Sequence, residues 1–233
     1  MDPERERIQA DLRGLVKGDV RCDDVFLQLY ACDASIYEIR PLAVIRPRAL
    51  PDVVAVVEYA AENHLPIHAR GAGTGLAGES LGGGLVLDFS RYMRRVLHFD
   101  NDSVRIQPGL VHAQLNKFLR PLGRQFGPDP AMSDVTTMGS VIAIDAGGSH
   151  WLRHGSARRH VQSLQIVTAD GQVLEVGREP VASNGAEPDS PKARLVGALA
   201  SLLAREADTI RDHQPQSLVN RCGYGLAGAR DDG

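Results

Sequence analysis

The stretch Arg70-Gly71-Ala72-Gly73-Thr74-Gly75-Leu76-Ala77-Gly78-Glu79-Ser80-Leu81-Gly82-Gly83-Gly84 places seven glycines in fifteen positions. Glycine permits positive φ and lets a ligand approach the main chain closely. A turn built this way can aim successive N–H groups into a concavity that suits a pyrophosphate. Apolar Leu65-Pro66-Ile67 precedes the stretch and Leu85-Val86-Leu87 follows it. It therefore reads as a glycine loop between two strands, a candidate dinucleotide site. The competing reading is a set of tight surface turns, because a lone glycine pattern is a weak signal.

Working outward, Ala43-Val44-Ile45 reads as a strand that stops at Pro47. Pro51-Asp52 opens a helix whose wide apolar face is Val53, Val54, Val56, Val57, Tyr59 and Ala60, closed by Asn63. Residues 66–69 and 85–89 read as strands. Residues 41–90 thus form strand–helix–strand–glycine loop–strand, an α/β pattern. Upstream, 4–17 reads as an amphipathic helix with Ile8, Leu12 and Leu15 on one face, and 22–40 as irregular and polar. Downstream, 104–107 alternates as a strand, and 111–119 suits a helix with Val111, Leu115, Phe118 and Leu119 inward. Residues 127–130 form a rigid Gly-Pro-Asp-Pro turn, and 136–150 are small and glycine-containing. Strands at 161–168 and 173–176 flank an Ala169-Asp170-Gly171-Gln172 hairpin signal. Residues 180–191 read as a loop, and 192–210 as one helix with Leu195, Val196, Leu199, Leu202 and Leu203 on one side.

Two common nucleotide motifs are excluded. A P-loop needs Gly-Lys-Ser/Thr, and Gly78-Glu79-Ser80 puts an acid in the lysine's place. A dinucleotide fingerprint of the Gly-x-Gly-x-x-Gly kind opens a helix after its strand, whereas this loop runs into another strand.

Composition narrows the classes further. The 233 residues are 43% hydrophobic and 24% charged, with a formal charge of −3, which is ordinary for a folded domain and unlike an electrostatic nucleic-acid binder. Three cysteines without a Cys-x-x-Cys pair argue against a disulfide framework or zinc site and fit a reducing compartment. Cys22 and Cys32 read as small buried apolar residues. No signal-peptide h-region and no apolar run long enough for a membrane span occur, so a cytoplasmic protein is expected.

The eight histidines include a loose group, His150, His154 and His160, but 147–155 does not read as a helix that would align them, and no metal is expected. Trp151 is expected in the core. Arg153, Arg158 and Arg159 read as a solvated basic face, with attraction to a phosphate as the functional alternative. Ser80, Ser133 and Ser149 have no readable Asp–His partners, so no serine hydrolase is indicated. No catalytic residue is assigned.

Three clusters of small residues separated by apolar strands, at 71–84, 127–130 and 139–148, suit a long ligand lying over backbone. Together with segments 41–60, LVLDFSRYMRRVL, VRIQPGLVHAQLNKFL, TTMGSVIAIDAGGSHWLRHGSARRHV and LQIVTADGQVLEVG, they occur in one characteristic order. On these segments, covering roughly residues 35–230, the chain resembles the FAD-binding domain of FAD-linked oxidases of the p-cresol methylhydroxylase and vanillyl-alcohol oxidase type. The branch is that of the D-lactate, glycolate and D-2-hydroxyglutarate dehydrogenases, some of which carry a fused iron–sulfur domain.

The resemblance implies roles by position. Arg70, Gly71, Ala72, Gly73, Thr74 and Gly75, continued by Gly78 and Glu79, would hold the FAD pyrophosphate. Pro128 and Asp129 would lie near the flavin or ribityl chain. Gly139, Ser140, Ala146, Gly147 and Gly148 would form a second contacting segment. Arg153 and Gly155 would sit beside the cofactor, and Ile166 and Val167 would approach the adenine. His154 stands where the family has tyrosine, Asp145 where asparagine is common, and Ser140 where a second glycine is usual. Thr74 occupies the place of the histidine that tethers FAD in some relatives, which implies non-covalent FAD.

The expected fold is α+β: a p-cresol-methylhydroxylase-type FAD-binding fold of two α/β sub-domains. They comprise about 40–95 with a parallel sheet and 96–230 with a mostly antiparallel one, with FAD between them. Residues 1–34 would be a helical extension, and 35–230 the FAD-binding domain. Its last strands and the C-terminal cap domain, which would supply the substrate site, would be absent, making this an N-terminal portion of a longer protein. The residues 221–226 resemble the approach to those last strands. The implied function is hydride transfer from a 2-hydroxy acid (D-lactate, glycolate or D-2-hydroxyglutarate) to FAD, inactive in isolation. The 2-hydroxy acid would be engaged through the missing domain, and an iron–sulfur centre is a candidate electron acceptor. The alternative is a non-catalytic module that has lost FAD binding and acts by association.

Overall fold

A computed structural model describes residues 2–180, 190–215, 224–226 and 229. The chain divides into two compact units, residues 1–161 with 167–173, and residues 162–166 with 174–233.

The first unit opens with α1 (Pro3–Leu15). Asp2 caps it by accepting the Glu4 N–H at 3.3 Å, Pro3 stands in its first turn, and Ile8 and Leu12 are buried. Leu15, expected on that face, is exposed, and Val16 is buried in its stead. The segment expected to be irregular contains α2 (Asp24–Tyr30), capped by Asp23 Oδ1, which accepts the Phe26 N–H at 3.0 Å. At seven residues it is too short to show a helical period, so its capping polar residues dominate the local pattern.

A four-stranded sheet follows from β1 (Asp19–Arg21), β2 (Ala43–Arg46), β3 (Ile67–Arg70) and β4 (Leu85–Asp88), in the order β1-β2-β4-β3. β2, β4 and β3 are parallel and β1 is an antiparallel edge. Strand alternation divides the apolar runs between two cores. Ala43, Ile45, Leu85 and Leu87 face Ile8 and Leu12 of α1 and Val56, Tyr59 and Ala60 of α3 (Leu50–Glu62). Val44 and Val86 face Leu27 of α2. Cover on both faces explains why these strands read as continuous apolar runs. Residues 1–34, expected as a helical extension, thus contribute an edge strand and a part of both cores.

Still in the first unit, β5 (Val96–Phe99) and β6 (Val104–Ile106) form an antiparallel ladder. It contributes to a core of Leu110, Leu115, Leu119, Met138, Val141, Ala146 and Ala157 with α4 (His112–Leu119) and α5 (Met138–Ala143), whereas α6 (Trp151–His154) has no buried residue. Here the structure corrects several expectations. Phe118 is 39% exposed, and His112 is buried instead; the inward face of α4 runs His112, Leu115, Leu119. Residues 138–143 are helical despite their glycine, and 151–154 form one helical turn. Cys32 is exposed, unlike Cys22. Trp151 is half-buried.

β7 (Ser163–Val167) and β8 (Val173–Gly177) pair as the expected hairpin, the Thr168 N–H donating to Gln172 O at 2.9 Å. In place of a larger antiparallel sheet after residue 96, the described residues show two separate two-stranded ladders. In the second unit, Ser190 caps α7 (Pro191–Arg205) by accepting the Ala193 N–H at 3.1 Å. The single helix expected over 192–210 is broken at Glu206, and α8 (Ala207–Asp212) follows. Most of the 180–191 loop and residues 221–223 lie outside the described residues.

Candidate functional site

The glycine loop leaves the C-terminal end of β3, the end at which open parallel sheets bind ligands. Arg70, the last residue of β3, sets its guanidinium against the loop at Gly73, where a Cβ would come within 2.5 Å of it. It donates to the carbonyls of Tyr30 at 3.0 Å and Cys32 at 2.8 Å and lies 5.0 Å from the Tyr30 ring centre. Tyr30 in turn donates to the buried carboxylate of Asp88 at 2.6 Å, and Arg46 donates to the Tyr30 hydroxyl at 2.9 Å. Burial, reinforced by the Asp88 bond, pushes the Tyr30 phenol up to about 12. Arg70 therefore acts as a strut between the strand end and residues 30–32.

Residues 31–38 form a wall along the loop that the sequence did not announce. The Ala34 N–H donates to Gly73 O at 3.1 Å, and Ser80 Oγ donates to Asp33 Oδ2 at 3.0 Å. A Cβ at Gly78 would come within 2.9 Å of the Tyr37 ring. Glu79 serves the loop's own turn, its carboxylate accepting the Ala77 N–H at 3.0 Å. Among the described residues, no N–H from Ala72 to Leu76 donates to a protein group. Five free donors on a half-open, glycine-rich turn fit the pyrophosphate of FAD.

The loop meets the second glycine segment by close backbone approach. A Cβ on Gly71 would lie 2.3 Å from Thr137 Oγ1 and 2.4 Å from Ser140 Oγ. Thr137 is buried at the start of α5, its hydroxyl 3.0 Å from that of Ser140. The Gly139 N–H donates to Pro108 O at 2.7 Å, which seats α5. The 127–130 turn is tied to the same segment: the Asp129 N–H donates to Gly147 O and the Ser149 N–H to Asp129 O, both at 3.2 Å. Gly148 has φ +70°, and a Cβ there would overlap the Asp129 carbonyl at 1.6 Å. The first unit thus brings 71–78, 127–129 and 137–148 into one connected surface.

Other expected residues stand differently. Ala146 is a core side chain, and Gly147 is buried beside it. Arg153 is exposed. Gly155 is buried, with φ +72°. Arg158 pairs with Asp145 at 2.6 Å. Val167, half-buried in the first unit, packs against Val53, Val57 and Met93, and Ile166 is a half-buried strand residue of the second unit. His150 lies 3.8 Å from Asp129, and its ring centre is 6.3 Å from that of His154. Among the described residues, no group of three His, Cys, Asp or Glu side chains could hold a metal ion. Nor is any helix among them long and apolar enough to cross a membrane.

Comparison with known proteins identifies the family. Residues 41–177 match the family described as FAD binding domain. The chain is 33% identical over 201 residues to D-2-hydroxyglutarate dehydrogenase of Pantoea ananatis, covering 83% of this chain and 20% of the relative. It is 30% identical over 190 residues to glycolate oxidase subunit GlcD of Escherichia coli (strain K12), covering 79% and 38%. It is 33% identical over 184 residues to a probable mitochondrial D-lactate dehydrogenase of Danio rerio, covering 75% and 36%. The chain thus spans between a fifth and two fifths of these relatives' lengths. An alkyldihydroxyacetonephosphate synthase structure shares the fold, with a TM-score of 0.66 at 21% identity, covering 84% of this chain and 37% of that one. The parallel sheet, the open glycine loop and the match over 41–177 lead to one conclusion: the chain belongs to the FAD binding domain family, of the p-cresol-methylhydroxylase type, and its cofactor is FAD.

Proposed function

We propose that this chain is the cofactor-holding portion of a flavin-dependent oxidoreductase acting on a 2-hydroxy acid such as D-2-hydroxyglutarate, glycolate or D-lactate. The observation that carries the cofactor site is the row of five free backbone N–H groups at 72–76, set against Thr137 and Ser140 through Gly71. The substrate class comes from the named relatives.

In this reading Gly71, Ala72, Gly73, Thr74 and Gly75 hold the pyrophosphate by main-chain donors, and Arg70 and Glu79 shape that loop. Pro128, Asp129, Gly139, Ser140, Gly147 and Gly148 form the flavin-facing surface, with Gly155 beside the cofactor. FAD supplies hydride acceptance; the chain's residues bind and orient it. Thr74 stands where some relatives of this type carry a tethering histidine, so the proposed binding is non-covalent. The substrate carboxylate and the acid–base group belong to sequence outside this chain, and an iron–sulfur centre is the proposed electron acceptor. The proposed setting is the cytoplasm, in keeping with three sparse cysteines.

The test is reconstitution. The purified chain, incubated with FAD and desalted, is expected to retain flavin absorbance that acid precipitation releases as free FAD. Absence of flavin bands after reconstitution would refute the binding assignment. Flavin that stays with the precipitate would refute non-covalent attachment.

A further inference from the structure

His112, the first residue of α4, lies between two stretches of the candidate site, the 127–130 turn and the start of α5. Its main-chain N–H donates to Thr136 O at 2.9 Å, one residue before the threonine that meets Gly71. Its ring is buried, with Nε2 3.0 Å from the Pro128 carbonyl and Nδ1 2.7 Å from Ser133 Oγ. A carbonyl only accepts, so Nε2 carries the proton and donates to Pro128, and Nδ1 accepts from the Ser133 hydroxyl. The Asn116 amide nitrogen, 3.2 Å from Nε2, is also a donor and so makes no bond there. Asn116 instead clasps Phe126, accepting its N–H at 2.7 Å and donating to its carbonyl at 3.4 Å. The Phe126 ring meets the imidazole edge-on, with centres 5.9 Å apart.

We infer that His112 is a positioning residue for the cofactor. Its Nε2–H holds the Pro128 carbonyl and so sets the 127–130 turn, while its main-chain N–H ties that turn to the Thr136–Thr137 start of α5. The inference rests on the proposal that these two segments face FAD. His112 itself need not touch the cofactor. Burial lowers its pKa, which favours the neutral ring that this pairing uses.

The experiment compares the full 233-residue chain with His112→Phe, His112→Gln and Ser133→Ala by FAD titration and visible spectroscopy. Phenylalanine keeps a ring but leaves Pro128 O unpaired; glutamine restores a donor within reach of it. FAD binding is expected to weaken about tenfold in His112→Phe, with a changed band shape of the bound flavin, and to recover to within about threefold in His112→Gln. If His112→Phe does not fold, Ser133→Ala decides, with about a two- to threefold weakening and a band change in the same direction. A folded His112→Phe, or failing that Ser133→Ala, with unaltered affinity and spectrum overturns the inference. An unsubstituted chain that takes up no FAD overturns the cofactor reading beneath it.

Discussion

Gly71 carries the junction between the glycine loop and α5 because it has no side chain. Its neighbours across the junction are the hydroxyls of Thr137 and Ser140, and Thr137 is almost fully buried. A methyl group at 71 must push one of them aside, which moves the loop relative to the start of α5. Gly71→Ala is therefore expected to weaken FAD binding by about tenfold or more while leaving the sheet intact. A titration by flavin fluorescence, with circular dichroism as the fold control, measures this; unchanged affinity would mean the junction does not set the loop. The importance of glycine at 71 was legible in the sequence as a property of the whole loop. Which hydroxyls it meets was not, because Thr137 stands 66 positions on along the chain (137 − 71), and no local pattern links the two.

At the scale of elements, the loop is a span held at several points. Arg70 anchors its start on Tyr30 and Cys32, Ala34 holds Gly73 O, and Asp33 takes Ser80. The planar guanidinium reaches two carbonyls at once, and a lysine ammonium is a point donor without that fork. Arg70→Lys is expected to weaken FAD binding about five- to tenfold, with a melting-point loss corresponding to about 1 kcal/mol. Titration and thermal denaturation of the same variant read both. Intact affinity would show that residues 30–34 do not position the loop. The long elements were readable: α3 has a proline in its first turn, a wide apolar face and a clear stop. The short ones were not. α2 and α5 span seven and six residues, fewer than two full helical turns, so capping and tertiary packing decide them rather than periodicity. Phe118 and His112 show the same limit within α4. Both rotations of its apolar stripe fit the sequence, and the buried hydrogen bonds of His112 select one.

At the scale of the molecule, the first unit's stability rests on a parallel sheet buried on both faces. Ile45 is fully buried between α1 and α3. Ile45→Ala should cost about 2–5 kcal/mol, as deletions of this size do in cores. Urea denaturation followed by circular dichroism tests it, and a loss below about 1 kcal/mol would contradict the assigned core. The amino-acid sequence by itself determined the α/β order of residues 41–90, the glycine loop between two strands, the exclusion of a P-loop, and a cofactor family. All of these are carried by local spacing, residue size and motif order. Only the tertiary structure decided that Arg70 is a strut, that residues 31–38 wall the loop, that Val167 packs half-buried on Val53, Val57 and Met93, and that His112 bonds both Pro128 and Thr136. Those outcomes depend on contacts between residues distant in sequence, such as the 40 positions between Arg70 and Tyr30, which exist only once the sheet has brought its strand ends together.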